Sequence, residues 1–170
     1  MSRLRSRFEL LLEWIVIALM VLLSAEVTIG VLFRTFGFAL AWYDEVASIM
    51  LAWLTFYGSA LASLKRAHIG FPGLVMSLPP GWRVAFVVLA ETLVVAFFAL
   101  LGWMGYSILE ILNTDHLVSL PWVTVAWTQS VIPASAVLII VAELSNLPQL
   151  LREARGQAPS GASDLAEMTH

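Results

Sequence analysis

Four long apolar stretches, separated by short charged or turn-forming segments, dominate the sequence. We predict that they span residues 10–33, 43–64, 83–112 and 122–148. Each stretch is long enough for a helix to cross the hydrocarbon core of a bilayer, which takes about 20 residues. Backbone polar groups in lipid must be satisfied within their own segment, so such stretches form helices. The sequence therefore predicts an all-α membrane protein with four transmembrane helices.

The composition argues against most soluble alternatives. Hydrophobic residues make up 60% of the chain and charged residues only 12%, whereas a soluble domain carries about 25% charged residues. There is no cysteine, which excludes disulfides, Cys-based zinc sites and iron–sulfur clusters. The formal net charge is −3, and without a basic run we expect no nucleic-acid partner. No nucleophile or metal-ligand constellation is recognisable in the sequence, so we expect no enzymatic activity, cofactor or metal.

The nine Lys and Arg residues predict the orientation. Arg34 lies between the first and second spans. The other eight lie before the first span, between the second span and the first residue of the third, or after the fourth: Arg3, Arg5, Arg7, Lys65, Arg66, Arg83, Arg152 and Arg155. The positive-inside rule then places both termini in the cytoplasm. Three arginines followed by an apolar run also resemble a signal peptide, but the length of this run favours an uncleaved helix.

The domain organisation follows from these spans. Residues 1–151 are predicted to form the transmembrane domain, and the small, polar segment 152–170 a disordered cytoplasmic tail. Between the second and third spans, residues 69–78 are apolar but interrupted by Gly and Pro. We expect this segment to lie at the membrane interface.

The second span has a stripe of small residues at helical spacing. Small residues let helix backbones approach closely in lipid, where packing drives association. The stripe consists of Ser48, Ala52, Thr55, Ser59 and Ala62, with Gly58 beside it and the bulky Trp53 and Phe56 on other faces of the helix. The pattern predicts close protein packing, either within the bundle or with another subunit.

Charged residues mark both ends of this span. Asp44 and Glu45 begin it, and they indicate either a water-facing helix start, favoured by the helix dipole, or a docking or ion-attracting patch. Lys65, Arg66 and His68 follow its other end, where basic side chains reach toward lipid headgroups.

Three carboxylates, Glu26, Glu91 and Glu143, fall inside the spans. A charge at the centre of a span costs about 2.5–3.5 kcal/mol, so these residues face protein or water. We expect Glu26 in the outer half, and Glu91 and Glu143 in one layer nearer the cytoplasm, with no Lys or Arg at matching depth. Proton or ion transport is one hypothesis for them, and hydrogen bonding or pairing with a partner protein is the other.

Two further local patterns predict structure. Glu9 and Glu13 follow Arg5 at one-turn intervals, as in an ion-pair ladder along one helix. Pro133 lacks an amide hydrogen and frees the carbonyl of Gln129, which predicts a kink in the fourth span.

The order of these motifs resembles the small membrane subunit of tripartite ATP-independent periplasmic (TRAP) transporters. The similarity covers about residues 8–152, and Gly70-Phe71-Pro72 departs from the family's pattern, in which many members have an acidic residue. The motifs are Arg34, Trp42-Tyr43-Asp44-Glu45, the run from Trp53 to Ala60, Lys65-Arg66-Ala67-His68-Ile69, Leu120-Pro121-Trp122 and Ile132-Pro133.

This resemblance implies one part of a three-part system in a bacterial or archaeal cytoplasmic membrane. A periplasmic binding protein captures an organic acid, and a large M-type membrane subunit translocates it, driven by a sodium gradient. The small subunit is expected to be a non-catalytic scaffold, with the stripe of the second span facing the large subunit.

Two hypotheses about function remain open at this point. In the first, the periplasmic surface of the scaffold helps to dock the binding protein, and the candidate docking residues are Arg34, Trp42, Asp44, Glu45, Asp115 and His116. The alternative is an autonomous small proton-coupled antiporter that uses Glu26, Glu91 or Glu143.

Overall fold

The computed structural model describes residues 2–38, 40–66 and 79–156 and contains five helices there. They are α1 (Ser2–Thr35), α2 (Tyr43–Leu64), α3 (Pro80–Leu112), α4 (Val125–Gln129) and α5 (Val131–Ala154). Four helical segments, with α4 and α5 counted together, are long and apolar enough to cross a membrane. The described ranges contain no strand, so the predicted all-α membrane fold with four spans is confirmed.

The helices extend beyond several predicted span boundaries. At 1.5 Å per residue, α1 is about 51 Å long and α3 about 50 Å, compared with about 30 Å of hydrocarbon, so both must tilt or protrude from it. Helix α5 continues to Ala154, so the first residues of the predicted tail are helical. His68, the predicted interfacial segment 69–78 and residues 157–170 of the tail lie outside the described residues.

The spanning helices pack side by side in the order α1, α2, α5, α3. The extensive contacts between long helices in the described ranges join α1 to α2, α2 to α5, and α5 to α3. One end of this row, here called the charged end, contains the start of α1, the end of α2 and the end of α5. The opposite end, the loop end, contains the start of α2 and the loop of residues 113–124.

The buried core is small, because helices in a row contact fewer neighbours than helices in a closed bundle. Its fully buried apolar members include Leu12 on α1, Leu64 on α2 and Ala142 on α5. By contrast, no residue in the most apolar stretch of α3 is buried, and Trp103 of that helix is 73% exposed. Because so much apolar surface faces outward, the fold needs lipid or another protein around it.

Glycine allows the closest approach between α3 and α5. A Cβ added at Gly102 would lie 3.2 Å from the Ala136 Cβ, and one at Gly105 would lie 2.8 Å from the Ile132 Cγ2. The second distance is too short for a carbon–carbon contact. The crossing therefore depends on the missing side chain at Gly105.

The fourth span is interrupted where Pro133 predicts a kink. Ser130 separates α4 from α5, and its hydroxyl donates a hydrogen bond of 2.7 Å to the Trp127 carbonyl. This hydroxyl therefore binds the Trp127 carbonyl and not the Gln129 carbonyl, which is the one that Pro133 frees.

The crossing generates a stability prediction. We expect Gly105→Ala to lower the apparent Tm of the purified subunit in detergent, because overpacking costs about 1–3 kcal/mol. Gly58→Ala is the matched control, since an added Cβ there meets nothing within 4 Å. The control should keep or raise the Tm, because Ala is the better helix former. An equal rise in both variants would contradict the prediction.

Candidate partner-binding surfaces

A buried amide joins three helices at the charged end. Asn146 of α5 has no exposed surface. Its Nδ2 donates to the Ser63 carbonyl at 2.9 Å, and its Oδ1 accepts from Arg5 Nη2 at 2.8 Å. Arg5 also donates to the Leu64 carbonyl at 3.2 Å. These carbonyls belong to the last turn of α2, where donors within the helix are missing. The Arg66 amide donates to the Ser63 carbonyl at 3.1 Å, and Arg5 and Asn146 complete the cap of α2.

Lys65 connects α2 to α1 by ion pairs. Its Nζ donates a short hydrogen bond to Glu13 and lies 3.9 Å from Glu9 Oε1. The hydrogen bond to Glu13 raises the pKa of Lys65, and the charge of Glu9 adds to this effect. The ladder predicted from Arg5 to these carboxylates is wrong, because Arg5 caps α2 and the carboxylates bind a neighbouring helix instead.

Arg66 connects α2 to α5. Its two terminal nitrogens donate to the two carboxylate oxygens of Glu153 at 2.7 and 2.8 Å. Arg66 has φ +55°, in the left-handed region where a non-glycine residue costs roughly 1–2 kcal/mol. It also lies close enough to Glu91 and Glu143 to interact with them electrostatically. Arg66 thus acts on Glu91 and Glu143 through a longer-range interaction, since its ion pair is with Glu153.

The three intramembrane carboxylates have different surroundings. Glu143 accepts a short hydrogen bond from the Ser63 hydroxyl, and Glu91 of α3 is near enough to Glu143 for the two charges to interact. The two carboxylates therefore lie near each other where α3 packs against α5. Both oxygens of Glu26 are shielded and have no hydrogen-bond partner in the described part of the chain. Among the described residues, no group of three His, Asp or Glu side chains is arranged to hold a metal.

The small-residue stripe of α2 is uncovered over its first half. We call Ser48, Leu51, Ala52 and Thr55 the α2 open face, and all four are exposed. The Ser48 and Thr55 hydroxyls each donate to a carbonyl of their own helix at 2.8 Å. Apart from Leu51, the open face therefore presents small side chains, and its two hydroxyls are already satisfied. Three further members of the predicted packing set, Gly58, Ser59 and Ala62, are half-buried.

Trp53 packs within the chain. Its indole Nε1 donates to the Thr128 carbonyl at 2.8 Å, and its ring lies 4.9 Å from that of Trp127 between centroids. Thr128 is in the last turn of α4, where carbonyls need donors from outside the helix. Trp53 thus connects α2 to the interrupted fourth span. Phe56, the other bulky residue of the predicted packing set, is half-buried.

At the loop end, Glu45 binds the loop of residues 113–124. Its carboxylate accepts hydrogen bonds from the Val118 amide at 3.1 Å, from the Ser119 amide at 2.9 Å, and from the Ser119 hydroxyl. The loop also pairs with itself, because the Leu117 amide donates to the Val123 carbonyl at 3.0 Å. Glu45 thus connects the first turn of α2 to a folded loop.

The other candidate docking residues are exposed at the loop end. They are Arg34, Trp42, Asp44, Asp115 and His116. Sequence reasoning singled out all six candidates but missed Ser119 as the partner of Glu45. It also missed Asn146, although an amide within an apolar stretch was a usable signal.

Four apolar spans joined by polar networks at both ends define a multi-pass membrane protein. The family model of the tripartite ATP-independent periplasmic transporters, DctQ component, matches residues 23–153. The chain belongs to this family and is a small membrane subunit of a TRAP transporter. No curated protein matches the chain at a significant level.

The charged end generates a second stability prediction. We expect Asn146→Leu to destabilise the subunit by about 1–3 kcal/mol, because it removes buried hydrogen bonds to the Ser63 carbonyl and to the Arg5 guanidinium. Ser145→Ala is the control, since that exposed hydroxyl donates only to a carbonyl of its own helix. Removing it should change the free energy of unfolding by no more than about 0.5 kcal/mol. Unfolding in mixed micelles with increasing denaturing detergent measures both. Equal stability of the two variants would argue against the cap.

Proposed function

We propose that this chain is the non-catalytic scaffold of its transporter. In this proposal it holds a large M-type subunit in the bilayer while that subunit moves an organic acid in a sodium-coupled, secondary active step. A periplasmic binding protein delivers the organic acid. The observation that carries the proposal is the α2 open face, which no helix of the described chain covers.

The structure of the open face supports this role. In lipid, helix association depends on close packing, and small residues permit it. Ser48 and Thr55 satisfy their hydroxyls internally, so a partner helix can cover them without stranding a polar group. Helix α2 also packs against both α1 and α5, which gives the open face a fixed backbone.

We also propose that the charged end is cytoplasmic and the loop end periplasmic. Eight of the nine Lys and Arg residues belong to the charged end or to the segments adjoining it. Contacts from Arg5 to Leu64 and Asn146 bring the beginning of α1 and the later part of α5 together at that end. The positive-inside rule then supports cytoplasmic termini.

The scaffold role predicts a loss of complex formation. The double variant Ala52→Leu/Thr55→Leu should reduce copurification of the cognate large subunit about tenfold or more, because two bulky side chains prevent close helix approach. The matched control is Ala96→Leu/Ala99→Leu, which places leucines at the same spacing on exposed positions of α3. Affinity purification in mild detergent, with quantification of both subunits, measures the effect.

Two results would contradict the scaffold role. One is unchanged copurification in the α2 variant while the subunit remains folded. The other is substrate-driven proton flux by the purified subunit alone in liposomes, which would favour the antiporter hypothesis instead.

We further propose that the exposed loop end docks the binding protein through its charges. Asp44→Lys should lower binding-protein-dependent uptake several-fold at low salt, with the difference shrinking as salt screens the charges. Glu110→Lys is the control, because it makes the same charge change on an exposed residue near that end, outside the candidate surface. Equal effects of both variants would indicate a response to net charge alone.

A further inference from the structure

Glu45 differs from the other candidate docking residues because its carboxylate is already bound. Two successive backbone amides and one hydroxyl of the loop donate to it. The neighbouring Asp44 is exposed and has the same charge at the same end of the same helix. The two acidic residues therefore have different surroundings, although the sequence makes them look equivalent.

The hydrogen bonds of Glu45 are of a strong kind. Bonds to an ionised acceptor are roughly twice as strong as neutral ones. They connect positions 73 and 74 residues apart in the chain, so they fix the loop relative to α2. Local pairing, such as the 2.9 Å bond from the Val125 amide to the Asp115 carbonyl, shapes the loop but does not attach it to α2.

This attachment sets the position of exposed groups. Asp115 and His116 are in the same loop as Ser119, two to four residues before the Glu45 contact. His116 is bridged to Thr124 across the loop. Because the loop is paired internally and bound to Glu45, its exposed side chains are presented in one arrangement. Preorganisation of this kind lowers the entropy cost of binding a partner.

We propose that Glu45 is a positioning residue, which binds the loop of residues 113–124 to α2 and so holds Asp115 and His116 in place on the periplasmic surface. Glu45 itself does not contact the binding protein. The attachment rests on the observed hydrogen bonds, and only its consequence for uptake rests on the proposed docking function.

Loop order provides the direct test. The chain has no cysteine, so Val118→Cys, at a position that is 94% exposed, accepts a single nitroxide label. Glu45→Gln should increase the mobility of the label and speed hydrogen exchange in the loop peptide containing Val118 and Ser119 about tenfold or more. Asp44→Asn removes the same charge and should leave both measurements unchanged.

A second variant guards against misfolding of Glu45→Gln. Ser119→Ala removes the hydroxyl but keeps both backbone amides. The rate of hydrogen exchange in the loop of this variant should therefore lie between those of the wild type and Glu45→Gln. Unchanged label mobility and exchange in folded Glu45→Gln would overturn the proposal, whatever happens to uptake.

Uptake by the complete transporter separates positioning from direct contact. In Glu45→Gln, uptake should fall at both low and high salt, because the lost hydrogen bonds are not screened. In Asp44→Asn, any deficit should fade as salt increases. A deficit in Glu45→Gln that also fades with salt, without added loop mobility, would make Glu45 a contact residue and overturn the proposal. Greater mobility with normal uptake would uphold the attachment and contradict the docking function.

Discussion

The requirement that every buried carbonyl find a donor organises this subunit. Helix α2 ends inside the row of helices, and the carbonyls of its last turn accept hydrogen bonds from Arg5 of α1 and Asn146 of α5. Asn146 is fully buried, so water does not replace its contacts, and the three helices meet at this point. The ion pairs of Lys65 and Arg66 surround this cap and join the same helices.

Between the two ends, the helices are held together mainly by apolar packing. The buried core is small, and the crossing of α3 and α5 depends on the missing side chain at Gly105. Polar contacts at the two ends therefore fix which helices are neighbours, while close packing fixes how near they lie. Trp53 combines both roles, since its ring packs on Trp127 and its indole nitrogen satisfies Thr128.

Periodicity and length predicted the four spans, because lipid allows little besides long apolar helices, and Pro133 predicted the break at Ser130. Partners across helices were less predictable. The sequence spacing of Glu9 and Glu13 indicated Arg5, yet both face Lys65, because helix order is decided by packing that no single stretch encodes. Glu45 was singled out only together with Asp44, and its partner Ser119 lies 74 residues away and gives no local signal.

The side-by-side order of the helices has a consequence for handling the subunit outside its membrane. A row of four helices has a larger perimeter than a closed bundle of the same helices. A larger share of its side chains therefore contacts the surroundings instead of another helix of the subunit. Detergent molecules must cover the apolar surface along that perimeter. The measured stability of the isolated subunit will consequently vary with detergent chain length and headgroup. Such a measurement is a property of the protein–detergent complex and not of the protein alone.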